Sequence, residues 1–258
     1  MMDIQGVLSR GCRSSLKVGL GAGPETHAST VDRLRVLGCH VELVRFDEPS
    51  ALVSSLVRGE LDAAVRGTLS SSSVLHVIKE EFGVGVVMRA AVLADAGGKP
   101  FVLAPVGIDE GNDLPSRLAL ARATLSYFSA IGWDLAVGVL SKGRDEDHGR
   151  GEAIGRSLDE GRTIVEALRK DGRNAEHHSI LVEDAVRRCG LVIAPDGVAG
   201  NLMFRTLHFV GGGSAYGAPV VNIPRVFVDT SRAKVDYSEP VLLAAGLAVM
   251  RSEGRPRD

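Results

Sequence analysis

The segment DAAVRGTLSSSSVLHVIKEEF, Asp62 to Phe82, falls into three parts. With Leu61, the apolar run to Val65 is too short for a helix and suits a buried strand. From about Val74 to Phe82 the chain reads as a helix. Between them lie Arg66, Gly67, Thr68, Leu69 and the four serines Ser70 to Ser73. Gly67 permits a tight turn. Backbone N–H groups and hydroxyls gather there at the positive end of a helix, which suits a phosphate or a carboxylate. An equally physical reading is that Ser72 or Ser73 caps the helix.

The same strand–turn–helix order recurs on both sides. Leu16 to Leu20 reads as a strand, Gly21-Ala22-Gly23-Pro24 as a turn, and a helix follows to about Leu37. Val41 to Val44 is a second strand, and Pro49 opens a helix at a first-turn position. Val84 to Leu93 and Pro100 to Val106 flank Gly97-Gly98, so a hairpin-like antiparallel element is expected there. Leu114, Leu118, Leu125 and Phe128 fall on one helical face, with Asn112 or Asp113 as cap and Pro115 just inside. Leu135 to Leu140 is a strand, Asp159–Lys170 and Val182–Arg188 are helices, and Leu191–Ala194 is a strand. A strand near Arg225–Asp229 and an apolar terminal helix over Val241 to Met250 close the pattern. Alternation of this kind gives an α/β fold with mostly parallel sheets and helices on their faces. Ser141 to Glu152 has no apolar residue interrupting it and is expected to be a long flexible loop after a strand, a place that often borders a site.

Composition narrows the classes. The chain has 258 residues, comfortable for two small domains. Its formal net charge is −2, and Arg187-Arg188 and the arginines at 251, 255 and 257 are short basic clusters, so no nucleic-acid-binding face is expected. No apolar run reaches membrane-spanning length, and Met1 to Arg10 lacks the apolar core of a signal peptide, so a cytoplasmic protein is expected. Cys12, Cys39 and Cys189 show no paired spacing and read as reduced thiols. His148, His177 and His178 lie on polar segments and read as surface groups, and no metal site is expected.

Two further constellations carry chemistry. Ala194-Pro195-Asp196-Gly197-Val198-Ala199-Gly200-Asn201 follows a strand and opens a helix. Gly200 allows close backbone approach, Asn201 can cap, and Asp196 places a carboxylate at the strand end where ligands sit in open α/β sheets. A well-capped turn accounts for the same residues. Asp229-Thr230-Ser231-Arg232 ends a late strand, where a serine beside an arginine can hold an anion, with Asp236 and Glu239 nearby.

Together the three segments resemble the phosphate acetyl/butyryltransferase superfamily, which includes the phosphotransacetylases. Asp62 to Phe82 is similar to that family's strand–loop–helix segment, PDGVAGNLMFRTL at Pro195 to Leu207 to its PD-x-x-x-GN motif, and VDTSR at Val228 to Arg232 to its DLSR motif. The shorter, divergent form looks most like the MtxX methyltransferase-related group of methanogens. The resemblance implies two α/β domains, 1–83 with 223–258 and 84–222, with a ligand cleft between them, as in the isocitrate/isopropylmalate dehydrogenase type. It implies a homodimer and acyl transfer between coenzyme A and phosphate, with coenzyme A as substrate and no tightly bound cofactor. Ser231 and Arg232 match the family's catalytic pair, and Glu239 its following acid, offset by about one position. Gly67, Thr68, Ser70, Ser71 and Ser72 match the phosphate loop, and Asp196, Gly200 and Asn201 the glycine–asparagine turn. Arg66 stands where the family has serine. The MtxX resemblance implies a methyltransferase protein as partner, in methyl transfer or in a binding or assembly role without catalysis.

Overall fold

The computed structural model describes residues 2–232, 234 and 236–253. Arg255 and Arg257 of the basic cluster lie outside the described residues. In chain order the elements are α1 (Ile4–Arg13), β1 (Lys17–Gly21), α2 (Pro24–Val36), β2 (Glu42–Phe46), α3 (Pro49–Val57), β3 (Ala63–Val65), α4 (Ser71–Phe82), β4 (Ala91–Ala94), β5 (Pro100–Ala104) and α5 (Leu114–Ser129). They continue as β6 (Val137–Leu140), α6 (Glu152–Lys170), β7 (Ala175–Ser179), α7 (Val182–Arg188), β8 (Leu191–Ile193), α8 (Gly197–Arg205), β9 (Ser214–Pro219), β10 (Val226–Asp229) and α9 (Ser238–Glu253). The class is α/β, with mostly parallel strands. The chain forms two compact units, residues 3–87 with 216–258 and residues 88–215 with 1–2.

In the first unit the strands run β2-β1-β3-β10-β9. β1 is parallel to β2 and β3, and β3 to β10, while β9 is antiparallel to β10. The Ala-Ala-Val of β3 is wholly buried, as a strand covered on both faces must be. On one side Leu52, Val53 and Leu56 of α3 and Val74 and Ile78 of α4 meet Phe227 of β10. Also in this unit, α1 and α9 cross at glycines. A Cβ on Gly11 would strike the Leu242 carbonyl, and one on Gly246 the Val7 carbonyl. The sequence pattern missed α1, because only Ile4, Val7 and Gly11 are buried in an otherwise polar run.

The second unit runs β4-β5-β8-β6-β7. β4 and β5 form the expected antiparallel hairpin, whose turn is closed by the Asp95 carboxylate accepting from Lys99 N–H at 2.8 Å. β5, β8, β6 and β7 are parallel. α5 starts at a capping box in which Asp113 accepts from the Ser116 N–H at 2.8 Å.

Four expectations are corrected. Cys12 and Cys39 form a disulfide, with Cα atoms 4.4 Å apart and a separation of 27 positions in sequence, and only Cys189 is free, and buried. Cys12 lies on α1 and Cys39 in the loop between α2 and β2, so spacing alone could not pair them. His178 is buried, not on the surface, because β7 is covered: its Nε2 lies 3.5 Å from the Cys189 sulfur, and burial pushes its pKa down. The 141–152 segment is ordered: Asp145–Arg150 is a 3-10 turn in which the Asp147 carboxylate accepts from Arg144 N–H at 2.9 Å and from Arg150 at 2.7 Å. α6 accordingly begins at Glu152, seven residues before the expected start. Among the described residues no helix is long and apolar enough to cross a membrane.

Candidate functional site

Three parallel strands of the first unit end side by side, β1 at Gly21, β3 at Val65 and β10 at Asp229. The loop after β3 is drawn tightly against β1. Gly67 has φ +61°, and a Cβ there would meet the Gly21 carbonyl, which accepts from Thr68 N–H at 2.8 Å. Glycine is therefore required twice, for the left-handed backbone and for the approach. Arg66 is buried to 4% exposure, and its Nε ion-pairs with the buried Asp229 carboxylate. Its Nη1 donates to the Leu69 carbonyl at 2.7 Å. Asp229 also accepts from Thr230 N–H at 2.8 Å, and the Thr230 hydroxyl donates to the Gly67 carbonyl at 3.2 Å. Arg66 thus ties the hydroxyl loop to the turn carrying Ser231 and Arg232.

α4 begins at Ser71 with Ser70 as N-cap, but no side chain caps it. Ser70 and Ser72 hydroxyls pair with one another at 3.0 Å. The expected cap from Ser72 or Ser73 is therefore absent: Ser70 holds the N-cap position and turns its hydroxyl to Ser72. Thr68, Ser70 and Ser71 are half-buried and Ser72 is exposed. Arg232 is exposed, and its side chain makes no ion pair or hydrogen bond among the described residues. Tyr237, buried, donates its hydroxyl to the Ser231 carbonyl at 3.2 Å. Lys234 Nζ lies 3.5 Å from Glu239 Oε2. Asp236 is occupied at the start of α9, accepting from the Ser238 N–H and hydroxyl, each at 2.8 Å. Lys234 and Tyr237 were not singled out from sequence; a lysine two residues after Arg232 was the available signal.

Asp196, Gly200 and Asn201 lie in the second unit. Asp196, not Asn201, is the N-cap of α8, accepting from Ala199 N–H at 2.8 Å. Asn201 sits inside the helix and donates to the Val106 carbonyl at 2.9 Å. A Cβ on Gly200 would strike the Pro105 carbonyl, and one on Gly197 the Gly107 carbonyl. That loop also holds Glu110, buried beside Arg89; burial pushes its carboxyl up, against the pull of the guanidinium. Lys142 Nζ meets Asp196 Oδ2 at 2.7 Å.

Burial alone would raise the Asp196 pKa, but the Ala199 amide and Lys142 together hold it below its ordinary value of 3.8. A carboxyl depressed on folding contributes stability above its unfolded value and loses it as pH falls through the folded one. Asp196→Ala is expected to lower stability at neutral pH by about 1 kcal/mol, and Asp196→Asn by less, since asparagine still caps. The difference between parent and Asp196→Ala should shrink below about pH 4. Denaturant unfolding of the three proteins at neutral and acid pH measures it; equal stabilities at neutral pH would remove Asp196 from this role.

The architecture is that of the phosphotransacetylases. A branched-chain phosphotransacylase from Enterococcus faecalis V583 superposes with a TM-score of 0.70 at 12% identity, over 90% of this chain and 99% of that one. A phosphotransacetylase from Streptococcus pyogenes gives 0.70 at 15% identity, over 96% and 99%. At that identity the likeness is one of fold. No protein-family model matches the chain. A Methanosarcina mazei protein provisionally named methyltransferase mtx subunit X is 40% identical over 218 residues, 84% of this chain and 78% of the relative. The chain belongs to the MtxX family, that of the methyltransferase mtx subunit X proteins of methanogens.

Proposed function

We propose that the chain is a phosphotransacetylase-like transferase whose first unit holds phosphate, or a phosphate-bearing ligand such as coenzyme A, between the 67–72 loop and Ser231-Arg232. The observation that carries this reading is an uncapped helix N-terminus after β3 and an exposed arginine after the neighbouring β10, on strand ends tied by Arg66 and Asp229. N–H groups at a helix start favour an anion, and arginine adds a permanently charged fork. In acyl transfer the coenzyme A thiol would lose its proton to a base, and its sulfur would bond to the acyl carbon. The carbon–oxygen bond to phosphate would break, and phosphate would leave. Arg232 would neutralise the phosphate and Ser231 would hydrogen-bond the developing oxyanion or the thiolate. Glu239 is the base we favour: Asp236 accepts two hydrogen bonds of 2.8 Å from Ser238, whereas Glu239 meets Lys234 at the longer distance of 3.5 Å. Orientation and fixed charge supply the rate in such a site.

Calorimetry with phosphate and with coenzyme A tests this. Arg232→Ala should weaken binding by about 1.5–3 kcal/mol, roughly ten- to a hundredfold. Arg232→Lys should recover part, keeping the charge and losing the fork. A parent that binds neither ligand, or an Arg232→Ala variant that binds both as the parent does, would overturn the reading.

A second reading is favoured by the relative's name, which calls that protein a subunit of a methyltransferase. Here the chain serves a methyltransferase partner, in methyl transfer or as a binding or assembly component without catalysis. Anion binding without acyl exchange, together with a stable complex with a methyltransferase protein, would favour it. A homodimer belongs to the proposal in either case. Val198 and Leu202, one turn apart on α8, and Val210 beyond it are exposed and support a self-association surface.

A further inference from the structure

We infer that Arg66 is a positioning residue that turns the Ser70 N–H outward as an anion donor; this rests on the anion site proposed above. The Leu69 carbonyl and the Ser70 N–H belong to one peptide unit. That unit is planar and trans, so its C=O and N–H point in opposite directions. The carbonyl is held inward by Nη1 of a buried guanidinium at 2.7 Å. The N–H must therefore face away from the buried side, into the same turn as the first N–H groups of α4. The neighbouring backbone groups are tied separately, Leu69 N–H to the Arg66 carbonyl at 3.4 Å and Val74 N–H to the Ser70 carbonyl at 3.0 Å, while the Ser70 side chain is directed to Ser72 and does not hold this plane.

The ion pair makes the anchor durable. Asp229 holds Nε of the same guanidinium, so the fork cannot swing away from Leu69 without exposing or stranding a buried charge. A carbonyl that accepts from a cation also polarises its own peptide, and a polarised peptide is a better N–H donor. A serine at position 66, the residue of the resembling family, has no fork with which to reach both groups. The substitution that departs from the family is thus a device for presenting the loop, not a loss of it.

Arg66→Lys separates positioning from stability. Lysine keeps a positive charge for Asp229 and loses the second, rigidly placed donor for Leu69. Amide nitrogen–proton spectra of parent and variant are followed during titration with inorganic phosphate, with chloride as control, beside thermal unfolding. The expected result is a downfield shift of the Ser70 amide in the parent that is lost in Arg66→Lys. Phosphate affinity should fall roughly five- to tenfold, as for the loss of one hydrogen bond, with the unfolding midpoint lowered less than by Asp229→Ala, which strands the charge. If the parent binds phosphate while the Ser70 amide stays still, or if Arg66→Lys binds as tightly as the parent, the inference fails and the Arg232 site stands. A parent that binds no phosphate removes both. Should Arg66→Lys not fold, the Ser70 amide of the parent decides alone.

Discussion

Asp229→Ala is expected to lower the unfolding free energy by about 3–5 kcal/mol, because it leaves the Arg66 guanidinium buried without its counter-charge. The two side chains are 5% and 10% exposed, and the hydrogen bonds they make run to the hydroxyl loop on one side and the Thr230 turn on the other. A surface pair would contribute far less. Replacing both members, as Arg66→Met with Asp229→Leu, should cost less than the single change, since the stranded charge goes with its partner. Denaturant unfolding of the parent and the two variants gives the comparison. A loss below about 1 kcal/mol for Asp229→Ala would mean that water reaches Arg66 and that the pair does not brace the loop.

Reduction of the Cys12–Cys39 bridge should cost about 3–4 kcal/mol, mostly by freeing the unfolded chain of a closed loop. The loop spans 27 residues and includes β1 and α2, so its closure restricts the unfolded chain appreciably. Unfolding with and without a dithiol reductant reads the difference, and Cys12→Ser should be less stable than the oxidised parent and insensitive to the reductant. Thiol titration of the unfolded, unreduced chain should find one thiol, Cys189. Three would show that the bridge does not form and that the expectation from spacing was right.

The fold was legible where local pattern and burial agree. Asp62 to Phe82 names its strand, its glycine turn and its helix, because an apolar run, a residue free to take φ +61° and a periodic apolar face each leave a mark in sequence. β7 leaves none. Ala175-Glu176-His177-His178-Ser179 looks polar, yet it pairs with β6, and Gly138 there leaves room for the His178 ring. The candidate residues were legible as types and less so as roles. Serines before a helix suggest a cap, but capping is settled by side-chain direction, and Ser70 and Ser72 turn to each other. Asn201 was a plausible cap until the helix started four residues earlier, at Gly197, with Asp196 in that place. Arg66 was visible as an oddity, while its partner Asp229 is 163 residues away and no local signal joins them.

The division of the chain has a consequence for its synthesis. The second unit is one continuous stretch apart from residues 1–2, whereas the first is assembled from both sides of it. β3 has β1 on one flank, but its other neighbour, β10, leaves the ribosome only after the whole of 88–215. Until then β3 exposes an open edge, and α1 lacks α9, the helix it crosses at Gly11 and Gly246. Domains form as units during translation, so the interrupting stretch is free to fold first while the earlier segment waits with an unpaired strand. In that interval the nascent chain is most exposed to mispairing, and the Arg66 guanidinium, already made, has no Asp229 to meet.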